Sequence, residues 1–188
     1  MSTIYIFRHG QTDFNRDHKF TGWLDAKLTD LGRQQAEAIA NQLRKKNINL
    51  AFQTRLSRSI ETLDIVIKPH PECQQRITDD RLIERSYGDL SGHLHSEIIS
   101  QYGQNQFDLW HRGWDNQPPH GESLADVEIR VGEFITDIKS QYSGQDINIA
   151  ISAHGNSIRL FRKIMENATI TDTCSWSIPY DTYFEYQI

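Results

Sequence analysis

Two histidines, each followed by glycine, are the residues of this chain best suited to chemistry. His9 ends the apolar run Thr3 to Phe7 (TIYIF), and His154 follows the run Ile147 to Ser152 (INIAIS). Both runs are short and rich in β-branched residues, so both read as buried strands. In open α/β sheets ligands bind outside the carboxyl ends of the strands, and two strands distant in sequence can bring both rings to one crevice. Gly10 and Gly155 let the backbone turn sharply and approach a ligand closely. Each histidine also adjoins a helix start or turn, where free N–H groups favour an anion. Arg8 precedes His9, and its planar guanidinium matches two phosphate oxygens at once. A neutral imidazole in such a site can attack phosphorus, while the arginine and a second, protonated histidine stabilise the equatorial oxygens of the transferring group. One preorganised donor of this kind is worth about 3 kcal/mol, so chemistry without a metal requires several.

The elements that must position these groups follow from the apolar pattern. Thr29 caps a helix whose Ala36, Ile39, Ala40 and Leu43 fall on one face. Leu50 to Gln53 reads as a strand, and Leu56 to Ile67 as a helix that ends before Pro69. Residues 77 to 92 have no clear period and read as an ordered, glycine-punctuated loop. Weak helical patches follow at 94–102 and 104–110, and Pro118, Pro119 and Gly121 forbid a helix before Glu122. Ser123 then caps the most periodic segment, with Leu124, Val127, Val131, Phe134, Ile135 and Ile138 on one face. A helix after Gly155 and a terminal strand at 183–188 complete the pattern. Strands alternating with helices imply an α/β protein, a three-layer αβα sandwich with a mainly parallel sheet. The 188 residues are read as one domain, in which about 77–121 make an excursion over the sheet edge as a lid or wall.

Composition narrows the partners. Twenty Lys and Arg against 25 Asp and Glu give a net charge of −5, with eight histidines in reserve. The longest basic cluster is Arg44, Lys45 and Lys46 at a helix end, so no nucleic-acid partner is expected. Cys73 and Cys174 read as free thiols of a reducing compartment. The first residues lack a basic leader and apolar core, and no run approaches the ~20 apolar residues that cross a bilayer. The expectation is a cytoplasmic protein with no membrane partner. His93 and His95, with Asp79 and Asp80 nearby, suggest a metal, but no second pair completes a ligand set, so no metal is expected.

The strings RHGQTDFN and FTGWLDAKLTDLG resemble the histidine phosphatase superfamily and, within it, the short form of the 2,3-bisphosphoglycerate-dependent phosphoglycerate mutases. Further blocks agree in order: TRLSRSIETL with Arg58, ERSYGDLSG with Glu84, PPHGESL from Pro118 to Leu124, and AHGNSIR from Ala153 to Arg159. The resemblance extends over nearly the whole chain. It implies a phosphoglycerate mutase that interconverts 3- and 2-phosphoglycerate, with metal-independent hydrolysis of a small phosphomonoester as the alternative. His9 would be phosphorylated during turnover, with Arg8, Arg58 and His154 holding the phosphoryl group and Gln11 and Asn15 nearby. Glu84 would be the general acid and base. Thr21, Gly22, Arg85, Tyr87 and Arg112 would contact the substrate, as would Gly155 and Asn156 beside His154. Trp23 and Trp110 are read as packing residues. A mutase of this kind uses 2,3-bisphosphoglycerate as primer and no metal, and takes a small phosphorylated substrate. Its relatives range from monomers to tetramers, which leaves monomer and dimer both open here.

Two substitutions depart from the family pattern. His95 stands where the mutases usually carry Lys, and His111 where they carry Arg. Each replaces a permanent cation with one only partly charged near neutral pH. The family's closing tail has no counterpart after the strand that ends at Ile188. Both departures would admit water to a phosphohistidine, and so favour hydrolysis over transfer.

Overall fold

A strand that is apolar on both faces must be covered on both, and the first strand sets the architecture for that reason. In the computed structural model, which describes residues 1–188, the elements in chain order are β1 (Thr3–Arg8), α1 (Asp13–Arg16), α2 (Asp30–Leu43), β2 (Leu50–Gln53), α3 (Ser57–Ile67), β3 (Gln75–Thr78), α4 (His95–Tyr102), α5 (Gln104–Arg112), α6 (Leu124–Tyr142), β4 (Asn148–Ala153), α7 (Gly155–Glu166), α8 (Ile170–Ser175) and β5 (Tyr183–Gln187), with 3-10 turns at Asp80–Leu82 and Gly88–Leu90. Ile4 and Ile6 of β1 pack towards α6 and α7, against Val131, Phe134 and Phe161. Tyr5 and Phe7 point the other way, into Ile39 and Leu43 of α2 and Leu63 and Val66 of α3. The result is the expected α/β sandwich, with helices on both faces of a five-stranded sheet ordered β3-β2-β4-β1-β5.

Register decides where the chemistry sits. β1 runs parallel to β4 with Arg8 opposite Ala153, so His9 and His154 leave the sheet at the same level. The His9 N–H donates to the Ala153 carbonyl at 3.0 Å, extending the ladder by one bond. β2 lies on the other side of β4, also parallel, and delivers Thr54 and the first turn of α3 to the same edge. Only β5 is antiparallel, paired with β1.

The helix boundaries follow local chemistry. Thr29 accepts the Gly32 N–H, and Ser123 accepts that of Asp126 while the Asp126 side chain takes the Ser123 N–H, a reciprocal cap. The face of α6 expected from periodicity is the buried one, residue for residue. Three elements lay outside the sequence reading. β3 is not among the expected strands and its last two residues fall in the expected loop, because only Ile77 in its sequence QRIT is apolar; it is an edge strand, largely exposed, and needs no apolar run. α1 and α8 are four and six residues long, too short for a periodic signal. The excursion therefore begins after Thr78. Its Tyr87, Leu90, Ile98 and Phe107 form a small core with Phe20 from the segment between α1 and α2, which fixes it as a wall. No helix is long and apolar enough to cross a membrane.

The turn after β1 is pinned by backbone contact. A Cβ on Gly10 would lie 2.1 Å from the Gly32 carbonyl oxygen of α2, while the Gly10 N–H donates to the Thr62 hydroxyl of α3 at 3.1 Å. Gly10→Ala should therefore destabilise by about 2 kcal/mol and lower Tm by roughly 4–8 °C for a chain of this size. Calorimetric melting checks this, and an unshifted Tm would show that the two backbones separate without strain.

Candidate active site

Neutral rings come first, because the rest of the site acts on them. His9 is 2% exposed, and its Nδ1 lies 2.7 Å from the Gly10 carbonyl oxygen. That carbonyl can only accept, so Nδ1 carries the hydrogen and Nε2 keeps its lone pair. Burial, Arg58 and Arg8 all hold the imidazole well below its ordinary pKa, so the ring is neutral and its free Nε2 lone pair can act without help from a base. His154 is fully buried, its ring centroid 5.1 Å from that of His9. Its Nε2 lies 2.8 Å from the Thr54 hydroxyl and its Nδ1 has no partner. Burial together with Arg58, His9 and Arg8 keeps His154 neutral as well. This corrects the expectation of a protonated second histidine: a neutral His154 donates from Nδ1 when the Thr54 hydroxyl donates to Nε2.

The surrounding cations are free of carboxylate partners. Several arginines elsewhere pair with carboxylates, as Arg33 does with Glu61 at 2.7 Å and Arg130 with Glu122 at 3.0 Å. Arg58, 1% exposed, instead donates to the carbonyls of Gly22 at 2.8 Å and Leu24 at 2.9 Å, and burial pushes its pKa down to about 10. Arg8 donates from Nη1 to the Ile178 carbonyl at 2.9 Å. The Nε atoms of Arg8, Arg58 and Arg159 and the Nδ1 of His154 are buried without any partner. Each unmet buried donor costs about 1–3 kcal/mol; Arg8 and Arg159 line one cavity, while Arg58 and His154 lie buried beside His9, so the cluster favours an anion.

That cavity has a volume of about 610 Å³ and a mainly polar wall. Arg8, Gln11 and Asn15 line one part; Thr21, Gly22, Glu84 and Tyr87 another; His95, His111 and Arg112 come from the excursion, and Gly155 and Asn156 from the start of α7. His9 and His154 are chain neighbours of the lining Arg8 and Gly155, buried directly behind the wall. Asn15 Oδ1 accepts from the Thr12 N–H at 3.1 Å and hydroxyl at 2.9 Å, which leaves its amide N–H groups for a ligand. Glu84 Oε1 accepts the N–H of Arg85 at 2.8 Å and of Asn156 at 3.1 Å, which leaves Oε2 without a hydrogen-bond partner in the protein. No three His, Cys, Asp or Glu side chains converge closely enough to hold a metal ion.

Buried neutral imidazole, unpaired guanidinium groups and one fixed carboxylate are groups that can bind and transfer a phosphoryl group, and the kinship of the chain agrees with that chemistry. Residues 4–183 match the family described as the histidine phosphatase superfamily (branch 1). The chain belongs to the histidine phosphatase superfamily. A relative from Allorhizobium ampelinum, named 2,3-bisphosphoglycerate-dependent phosphoglycerate mutase, is 37% identical over 171 residues, 89% of this chain and 81% of that protein. One of the same name from Tropheryma whipplei is 30% identical over 207 residues, covering 100% of this chain and 94% of the relative. Among solved structures, Bacillus stearothermophilus YhfR superimposes with a TM-score of 0.87 at 27% identity, over 98% of this chain and 90% of that one. A mycobacterial glucosyl-3-phosphoglycerate phosphatase gives 0.84 at 25% identity, over 97% and 88%. The protein is thus an enzyme of this superfamily.

Among members of the superfamily, an arginine next to the acid invites a substrate role, and here the structure differs from that expectation. Arg85 is fully buried and absent from the cavity wall: its Nε, Nη2 and Nη1 reach the carbonyls of Glu122 at 2.6 Å, Asn116 at 2.9 Å and His111 at 3.4 Å. Carbonyls supply its compensation, so it clamps the 111–122 segment to the wall. Arg159, not Arg85, is the arginine of this region that lines the cavity. It lines the cavity at 4% exposure, donates to Asn156 Oδ1 and to the Trp176 carbonyl at 2.8 Å, and is pushed down to about 10 by burial and by Arg112. The signal was its spacing, four residues after Gly155 on one helix face. His18, Lys19 and Tyr180 also line the cavity, from turns without a periodic pattern.

Trp23 is more than a packing residue. It is 45% exposed, yet its indole N–H donates to the Glu84 carbonyl at 2.7 Å, and Arg130 Nη2 reaches the same oxygen at 3.2 Å. Trp23→Phe should lower kcat about three- to tenfold, the worth of one hydrogen bond, with Tm nearly unchanged. Steady-state kinetics check this, and an unaltered kcat would return the indole to a packing role.

Proposed function

We propose that this enzyme is a phosphoglycerate mutase that works through a phosphohistidine on His9. The observation that carries the reading is a small polar cavity with cations free of carboxylate partners in two places: Arg8 at the histidine pair, with Arg58 buried beside it, and Arg112 and Arg159 on the wall beyond Asn156. A substrate with a phosphate and a carboxylate satisfies both. The names of the relatives support the same substrate.

His9 Nε2 attacks phosphorus as the P–O bond to the substrate breaks, and Glu84 gives its proton to the departing oxygen. Arg8, Arg58 and His154 hold the three equatorial oxygens, where charge is greatest in the transition state. In the return step the acceptor hydroxyl loses its proton to Glu84 and attacks phosphorus, and the N–P bond breaks. The unpartnered donors fit 2,3-bisphosphoglycerate as primer: when bound, it supplies the phosphoryl group that loads His9. The expected partner is this small phosphorylated substrate, in the cytoplasm, with no metal involved.

A second reading is hydrolysis of a small phosphomonoester by the same phosphohistidine. What favours it is the distal wall. Burial and Arg112 push His111 down to about 3, and burial with His18 and Arg112 holds His95 below its usual range, so both are neutral at pH 7 in the free enzyme. A second acceptor is then held more weakly, and water competes. The solved relative named as a phosphatase supports this alternative.

A coupled assay of 3- to 2-phosphoglycerate conversion, with and without 2,3-bisphosphoglycerate and beside phosphate release, separates the two. Isomerisation that needs the primer and outpaces release is expected; free phosphate without isomerisation would replace the mutase by the phosphatase. The same histidines set a pH dependence. Binding a second anion beside neutral imidazoles draws protons onto them, so KM should fall by a few fold from about pH 8 to 6. kcat should hold, because His9 stays neutral well below that window. His95→Lys should lower KM at pH 8 and flatten the trend. The substrate phosphate titrates alike with both enzymes, so identical slopes would remove His95 from binding.

A further inference from the structure

Arg8 holds its guanidinium in a slot, and one wall of that slot is a side chain to which no role has been given. On one side lies the backbone of Gly155, where an added Cβ would stand 3.3 Å from Arg8 Cζ and 3.5 Å from Nε. On the other side the ring of Tyr180 faces Cζ at 4.0 Å from its centroid. Nη1 is tied to the Ile178 carbonyl at 2.9 Å, and Nε is buried with no partner. The guanidinium is fixed through its plane and along one edge, while its Nη2 has no hydrogen-bond partner in the protein and the side chain lines the cavity together with Tyr180. The Tyr180 ring also stands 6.4 Å from that of His9.

We propose that Tyr180 is a positioning residue for phosphoryl binding, pressing Arg8 flat against Gly155 so that the free edge of its fork is aimed before substrate arrives. The proposal rests on the phosphoryl site described above and holds for a mutase and a phosphatase alike. Its physical basis is the freedom of a long arginine side chain, which must otherwise be lost when the anion binds. An aromatic face removes that freedom beforehand, since its negative quadrupole attracts the cation without consuming any N–H donor. A carboxylate in the same position would hold Arg8 more firmly, but it would compete with phosphate for the fork. The segment that supplies Tyr180 is itself anchored, since the Trp176 carbonyl accepts from Arg159 Nη2 at 2.8 Å. One stretch of chain between α8 and β5 thus sets two arginines of the cavity.

Calorimetric titration with inorganic phosphate tests this without turnover, using the full chain and its Tyr180→Phe, Tyr180→Leu, Tyr180→Ala, Arg8→Ala and Arg8→Ala/Tyr180→Ala variants. Phe keeps the ring face and should bind phosphate within about twofold of the parent. Leu and Ala should each weaken binding about tenfold, the order of a desolvated cation–π contact, with Leu keeping the bulk so that collapse of the segment is not the cause. In the Arg8→Ala background the further change Tyr180→Ala should add less than about twofold, because a residue that acts through Arg8 has nothing left to position. Full affinity in Tyr180→Ala, or equal losses with and without Arg8, would overturn the proposal. Loss of turnover in His9→Ala, by contrast, bears only on the proposed function.

Discussion

The parallel register of β1 on β4 is the constraint on which the rest of the site depends. Arg8 opposite Ala153 brings two strands more than 140 residues apart in sequence to one level, and the next residue on each is a histidine. Both strands are sealed by apolar helices on either face, so the imidazoles leave the sheet into a dry environment rather than into water. Dryness and the nearby guanidinium groups then keep both rings neutral. One hydrogen bond to the Gly10 carbonyl selects the tautomer. Fold, burial, protonation and nucleophilicity form a single chain of causes that starts from a strand pairing.

The cost of this arrangement is a set of buried or half-buried cations with no carboxylate bonded to them. Arg8, Arg58 and Arg159 are held by backbone carbonyls instead of carboxylates. Carbonyls fix a guanidinium without neutralising it, so the positive potential remains for an anionic ligand. The net charge of −5 gives no hint of this, because the acids pair with other arginines on the surface. Arg85 and Arg159 show the difference between residue type and residue role. The first has three carbonyl partners and no face on the cavity, while the second has a face on the cavity and a bare Nε.

Much of this was legible in the sequence where a physical period existed. Strands β1, β2 and β4 announce themselves as apolar runs, and the buried face of α6 can be counted off at helical spacing. Strand order alone places His9 and His154 at one edge, whereas the ERSYG block with Glu84 lies in a loop and reaches the site only through the family resemblance. What lacked a period was missed: β3, an exposed edge strand with one apolar residue; Tyr180, in a turn; and the indole of Trp23, whose bond to the Glu84 carbonyl links residues 61 positions apart. The neutrality of His154 was misjudged because it depends on complete burial beside Arg58, which only packing reveals.

Trapping the phosphoenzyme tests the nucleophile most directly. The enzyme is loaded with 2,3-bisphosphoglycerate, quenched in base to preserve phosphohistidine, and analysed by phosphorus NMR and peptide mapping. With Nδ1 committed to the Gly10 carbonyl, the phosphoryl group should be found on Nε2 of His9 and be absent from His9→Ala. A phosphoryl group on Nδ1, on another residue, or still present in that variant would contradict the mechanism.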